Sequence, residues 1–305
     1  MTIIFYSPSI AQRFKALMDN LQIDGPTENA ISLQAKAITQ QINADFWGIE
    51  SDTLNRYFIG SYGRGTAIKG IDDIDLAMEL PPALLEEYQR NPHNGAEALL
   101  QKVQGSIARV YPQSIIGEDG RTINIDFPNL KFEVLPVFRQ ADQSYLYPHA
   151  SYGGRWRIAR LLPEIQAIEA IDQKHNGKIR HLVKMMVAWK LHNHVPISGL
   201  LLETLAMDFF DFWPHHDQTY PYYGVMTTDF LQYLSQQDRN QKHWLARGSE
   251  QFVYRMGTFE NQAQQSLEVA RTALRLESEQ QEKKANQQWH RIFGDFLSNP
   301  DTSRE

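Results

Sequence analysis

Apolar residues recur along the chain with two periods, and the change from one to the other marks its elements. Ile10, Phe14, Leu17 and Leu21 stand three or four apart behind Ser7-Pro8, the spacing of an amphipathic helix with a serine cap and a first-turn proline. The pattern stops before Gly25-Pro26, and Thr27 reads as the cap of a second helix carried by Ile31, Ala35, Ile38 and Ile42. Leu54 to Ile59 is rich in strand formers and runs into Gly60-Ser61. Between residues 73 and 79 the period becomes two. Ile74, Leu76 and Met78 alternate with Asp73, Asp75 and Ala77, which predicts a strand with both carboxylates on one face, stopped by Pro81-Pro82. Leu99, Leu100, Val103 and Ile107 predict a helix within 96–110 that covers one sheet face. Strand-like runs follow at 113–116, 122–127 and 131–138, with turn residues between them, so adjacent antiparallel strands are expected.

Residues 139–156 are polar and aromatic, with Pro148 and Gly153-Gly154, and read as a loop into a second, helical half. Pro163 opens a helix there, and Gly177 separates it from 178–193, where Ile179, Leu182, Val183, Met186 and Trp189 form a stripe. Ser198 caps a helix over 199–212, Thr227-Thr228 begins another, and 259–293 reads as one long helix closed by Gly294. The fold class expected is α+β, helices on a mixed sheet followed by a helical domain.

Composition narrows the chemistry. The 305 residues, 42% apolar and 22% charged, are those of a soluble globular protein of one large domain or two ordinary ones. With no cysteine there are no disulfides, thiol nucleophiles or cysteine-ligated zinc. A net charge of −6 argues against coating long nucleic acid. No apolar run is long enough to span a membrane, and the N-terminus lacks a secretory layout, so a cytoplasmic location without membrane contact is expected. His192 with His194, and His215 with His216, lack metal-ligand spacing and read as surface residues, while Trp189, Trp244 and Trp289 are expected in the core or at an interface.

The stretch from Gly60 to Glu79 carries the candidate site. Two acids on one strand face repel unless a cation neutralises them, and hard oxygen ligands suit magnesium. Gly60 lets backbone approach a phosphate, and the Ser61 hydroxyl with free amides can hold it. For a third carboxylate the later strands offer Asp126 and Glu133. Glu133 is preferred as the single charged residue in the run 132–138, where a lone acid needs a partner, whereas Asp126 lies beside a Pro-Asn turn open to water.

Gly60-Ser61-Tyr62-Gly-Arg64-Gly-Thr66, followed by Asp73-Ile-Asp75, resembles the polymerase-β-like nucleotidyltransferases, and more narrowly the bacterial cGAS/DncV-like (CD-NTase) enzymes of antiphage signalling. Three further stretches carry the narrower resemblance: Phe132-Glu133-Val-Leu-Pro136 in the third-carboxylate strand, residues 182–190 in the helix beneath the nucleotide, and 270–294 in the terminal helix. It implies a polymerase-β-like core over 1–155, its N-terminal helices packing partly on an oligoadenylate-synthetase-like helical domain over 156–305. The implied activity is synthesis of a cyclic oligonucleotide second messenger from nucleoside triphosphates by two-metal transfer, with pyrophosphate released, in antiphage (CBASS) signalling. Asp73, Asp75 and Glu133 would be catalytic and hold two Mg²⁺ ions, with Mn²⁺ able to substitute. Gly60, Ser61, Tyr62, Arg64 and Thr66 would bind nucleotide, joined by Lys184 and Ser198 from the helical half. The implied partners are ATP or other nucleoside triphosphates and a messenger-activated effector, with room for a regulatory protein. Transfer to an external acceptor (a tRNA end, a small molecule or a protein) and non-catalytic nucleotide binding are the alternatives. The chain departs from the pattern at Glu133, where many relatives carry Asp, and it has no Cys/His cluster of the kind the animal DNA sensor uses.

Overall fold

The computed structural model describes residues 8–91, 93–150, 155–215 and 217–297; Ser7, Gly153, Gly154 and His216 lie outside them. It divides into two compact units, one of Ile23–Ile165 and one of the described parts of Met1–Gln22 and Gln166–Glu305. The helix α1 (Pro8–Asn20) thus belongs with the later helices.

In the unit Ile23–Ile165, α2 (Gly25–Ile42) is capped by Asp24, whose carboxylate accepts from the Thr27 N–H at 2.9 Å. The cap therefore falls three residues before Thr27, because the first helical turn tolerates Gly25-Pro26. There follow β1 (Arg56–Phe58), the single helical turn α3 (Gly60–Gly63), β2 (Asp73–Glu79), α4 (Pro82–Gln89) and α5 (Gly95–Ile107). The strands β3 (Ile115–Ile116), β4 (Ile123–Phe127), β5 (Leu130–Arg139), β6 (Tyr145–His149) and β7 (Arg155–Ala159) complete a seven-stranded mixed sheet. Its order is β1-β2-β5-β4-β3, with β6 on the far half of β5 and β7 beyond it.

The ten-residue β5 is the spine of the sheet. It runs parallel to β2 and antiparallel to β4 and β6. One face is apolar: Ile74, Leu76 and Met78 of β2 and Phe132 and Val134 of β5 are fully buried against Ile31, Ile38 and Ile42 of α2 and Leu99, Val103 and Ile107 of α5. The other face carries the acids at one end and a small cluster of Ala77, Leu135, Val137 and Tyr145 at the other.

Within the stretch expected as a loop over 139–156, described residues instead form β6 and the start of β7, paired antiparallel. Tyr145, Leu146 and Tyr147 are strand formers, and β5 pairs only with Tyr145 and Leu146, so Pro148 lies past the end of that ladder and breaks no bond in it. Because β7 is paired into the sheet, residues 156–165 fall with it and not with the helices.

The other unit contains the rest of α6 (Leu161–Lys174), then α7 (Lys178–His192), α8 (Gly199–Phe210), α9 (Tyr223–Ser235), the hairpin β8 (His243–Leu245) and β9 (Phe252–Tyr254), α10 (Glu260–Ser278) and α11 (Glu282–Phe293). The stripe Ile179, Leu182, Val183, Met186 and Trp189 is buried, as are Trp244 and Trp289, and His192 and His194 are exposed. The Phe14 ring of α1 meets Trp289 edge-on at 5.3 Å. Two helix expectations need correction. Thr227 and Thr228 lie inside α9, their hydroxyls donating to the carbonyls of Tyr223 and Gly224 at 2.8 Å each, so they do not start it. The long helix over 259–293 is broken at Glu279–Gln281, with Gln280 at φ +58°. The polar run after Leu276 offers no apolar side chain to bury until Ala285, so the chain re-aims there without glycine or proline. Among the described residues no helix is long and apolar enough to cross a membrane.

Candidate active site

Parallel pairing of β2 with β5 sets Asp73 opposite Lys131 and Asp75 opposite Glu133, while β4 sets Asp126 opposite Lys131 and Asn124 opposite Glu133. Side chains two apart share a sheet face, so these residues form two rows: Asp73, Lys131, Asp126 and, one pleat along, Asp75, Glu133, Asn124. The expected third acid, Glu133, is therefore the direct neighbour of Asp75. Asp126 stands one row away and one strand further.

The acids differ in surroundings. Asp75 is largely enclosed, and burial, then the neighbouring Glu133 charge, pushes its carboxyl above the usual range, with Arg64 and Arg121 pulling the other way. Asp73 is more open, its side chain 60% exposed, and is raised by burial and by Asp72 against the opposing Lys131. Lys131 places its ammonium 2.5 Å from Glu133 Oε1 and 3.9 Å from Asp73 Oδ1, and the bond to Glu133 raises its own pKa. With Lys131 on Glu133, no three acidic or imidazole side chains among the described residues converge on one point as a metal cluster would. The donor chemistry still fits a hard divalent cation: three carboxylates on adjoining strands, none neutralised by arginine at hydrogen-bond range among the described ion pairs, and no thiolate.

The turn before β2 is built onto Asp75. The Ile59 N–H donates to the Asp75 carbonyl at 3.0 Å, and Gly60, at φ +62°, leaves room for the Asp75 carboxylate: a Cβ there would lie 1.8 Å from Oδ2. Gly63 is equally constrained, a Cβ meeting the Phe58 carbonyl oxygen at 2.2 Å. The Ser61 carbonyl accepts from the amides of Thr66 and Ala67 at 2.9 and 3.1 Å and from the Thr66 hydroxyl at 3.2 Å, which folds the loop back on the helical turn. Amides of a first helical turn have no carbonyl within the helix to accept them, so α3 opens with donors available.

Among the expected nucleotide ligands, Gly60 and Ser61 stand beside Asp75. Tyr62 donates its hydroxyl to Glu28 at 2.7 Å and packs edge-on against Phe58. Arg64 is buried and paired with Glu164 at 3.4 Å, and Thr66 is buried within the turn; both brace the loop. Lys184, half-buried on α7, and Ser198, whose hydroxyl caps α8 by accepting from the Leu201 N–H at 3.1 Å, belong to the other unit. Lys131, Asn124 and Arg121 were not singled out from sequence. The signal for Lys131 was present, since it alternates with Glu133 in the same period-two strand.

Gly60→Ala tests the fit of turn to acid. The added methyl must displace the Asp75 carboxylate, and a left-handed backbone costs alanine about 1 kcal/mol more. We expect catalytic rate to fall about 100-fold or more while melting temperature drops by only about 5 °C. Steady-state rates alongside a thermal melt check this, and near-parental turnover would contradict the packing of Gly60 on Asp75.

Comparison with known proteins adds the family. The model of the Second Messenger Oligonucleotide or Dinucleotide Synthetase domain matches residues 9–171. A probable cyclic nucleotide synthase of Bacillus cereus (strain VD146) is 23% identical over 282 residues, covering 79% of this chain and 82% of its own. Among solved structures, Escherichia coli MS115-1 CdnC in complex with HORMA-deltaN aligns at TM-score 0.69 with 14% identity, covering 95% of this chain and 98% of that one. Vibrio cholerae DncV cyclic AMP-GMP synthase, solved with a linear intermediate, aligns at 0.67 with 11% identity and coverages of 94% and 95%. Bradyrhizobium diazoefficiens CdnG, solved with GTP, aligns at 0.66 with 13% identity and 96% of each chain. At these identities the structural likeness is one of fold: an α+β nucleotidyltransferase core with a helical domain.

Proposed function

The chain belongs to the family of second messenger oligonucleotide or dinucleotide synthetases, and from that premise we propose that it joins nucleoside triphosphates into a cyclic oligonucleotide at the acidic face of β2 and β5, releasing pyrophosphate. The observation that carries the reading is the register of Asp75 with Glu133, Asp73 one pleat away, and the Gly60-Ser61 turn packed on the Asp75 carboxylate.

In this reading Asp73, Asp75 and Glu133 hold two magnesium ions. Bound there, the ions would supply a lowered pKa for the attacking ribose hydroxyl and charge neutralisation for the leaving pyrophosphate. The protein's own groups do the positioning. Ser61 and the first-turn amides of α3 hold phosphate oxygens, and the Thr66 and Arg64 anchors keep that turn from shifting. The apolar face of the sheet, fully buried, fixes the strands, so the carboxylates do not have to be ordered when substrate arrives. Lys184 and Ser198 keep the triphosphate role that the resemblance gives them. The messenger would act on a downstream effector in antiphage signalling, and the HORMA complex of the E. coli relative is the ground for proposing a regulatory protein partner.

The test is incubation of purified protein with labelled nucleoside triphosphates, singly and in pairs, with Mg²⁺ or Mn²⁺. The expected result is pyrophosphate release with a phosphatase-resistant product whose mass is that of a ring. A requirement for an added tRNA, small molecule or protein acceptor would replace this reading with transfer to that acceptor.

A further inference from the structure

The acidic face contains its own cation. Lys131 stands directly between Asp73 and Asp126 in the cross-strand register, and its ammonium lies 2.5 Å from Glu133 Oε1 and 3.9 Å from Asp73 Oδ1. It projects from the same strand and the same face as Glu133, two residues away, so no backbone movement is needed for the contact. Its side chain is 34% exposed and Glu133's is 22%, so the pair is only partly screened by water. The alternating acid, lysine, acid row also explains how β2, β5 and β4 pair without direct like-charge contact along that row.

We propose that Lys131 is the site's internal counter-ion: it neutralises Asp73 and Glu133 in the metal-free protein and competes with divalent cations for them. The assignment rests on the metal reading of Asp73, Asp75 and Glu133 given above. Glu133 cannot give the same oxygen at full strength to both an ammonium and a metal, so a cation that takes this oxygen must displace Lys131. Free divalent ions are held weakly as a result, and a metal delivered together with a nucleoside triphosphate, whose phosphates help hold it and give Lys131 another anion to meet, is favoured over a metal alone. Lys131 thereby couples metal loading to nucleotide loading. It is a positioning residue: it acts on the carboxylates, and the reacting atoms need not touch it.

Binding of Mn²⁺ to the whole protein, read from the electron-spin-resonance signal of the free ion without nucleotide, tests this on wild type, Lys131→Met, Lys131→Arg and Asp75→Ala, with metal-free melts of each to show folding. Removing one charge at this range should tighten Mn²⁺ binding by about tenfold in Lys131→Met, with Lys131→Arg staying within about twofold of wild type because it keeps the charge. The advantage that nucleotide adds to metal binding should shrink in Lys131→Met by a similar factor. Equal or weaker Mn²⁺ binding in a folded Lys131→Met, while Asp75→Ala abolishes it, overturns the counter-ion and leaves the metal site standing. Wild-type binding that Asp75→Ala does not touch overturns the metal reading, and this assignment with it.

Discussion

Asp75→Asn protein is expected to turn over at least about 10³-fold more slowly than the parent, yet to melt at a higher temperature when both are stripped of metal. The two changes have one cause. Asp75 is largely enclosed and has Glu133 as its direct cross-strand neighbour, so burial and like charge hold its carboxyl above the normal range. A charged group that the native state disfavours lowers stability, and an isosteric amide removes that cost without opening a cavity, a gain of up to about 1 kcal/mol. The amide also removes the negative charge that the proposed chemistry needs. Pyrophosphate-release rates and metal-free thermal melts of the same preparations check the pair of effects. Turnover within tenfold of the parent would remove Asp75 from the catalytic set, and a lower melting temperature would show that its charge is satisfied in the fold.

Arg13→Ala should be the most damaging single substitution outside the site. Arg13 of α1 pairs with Glu277 of α10, with side chains only 8% and 5% exposed, and Trp289 of α11 donates its indole N–H to the same carboxylate at 2.8 Å. Without the guanidinium, Glu277 is left buried with a single neutral donor, a loss of about 3–5 kcal/mol, which corresponds to about 10 °C in melting temperature. Arg13→Met with Glu277→Leu should recover most of that loss, because two apolar side chains need no partner. Thermal melts of the single and double variants measure this, together with hydrogen exchange over 8–22. A fall of less than about 2 °C in Arg13→Ala would mean that α1 is not held by this pair.

How much of this was legible in the sequence depended on the range of the interaction. β2 announced itself because one face is buried and the other is not, which makes Ile74, Leu76 and Met78 alternate with the acids. The paired apolar stripes of α2 and α5 were readable for the same reason. Glu133 stood out as an acid within a buried strand, and the structure gives it Asp75 as its neighbour. What failed was set by tertiary pairing. The β6–β7 hairpin lacks alternation because its outer strand is half-exposed, with Ile158 68% exposed and Arg155 and Arg157 beside it. Pro148 looked like a breaker only because the end of the β5 ladder could not be seen. α4 begins at Pro82, three residues after the strand ends at Glu79, where a double proline reads as a stop and hides a helix start. For Arg64, to which the resemblance gives a nucleotide-binding role, the partner Glu164 lies a hundred residues on, and nothing local announces that pairing.

The parallel pairing of β2 with β5 has a consequence for how the protein comes into being. Asp75 and Glu133 meet only after the chain has passed through α4, α5, β3 and β4 and returned, roughly sixty residues further along, and such non-local ladders are slow to close because the loop entropy is lost before the contacts form. On the ribosome, the first two acids emerge well before their partner strand, so a nascent chain stalled before residue 130 carries two of the three carboxylates. No fragment ending before β5 can bring Asp75 and Glu133 together.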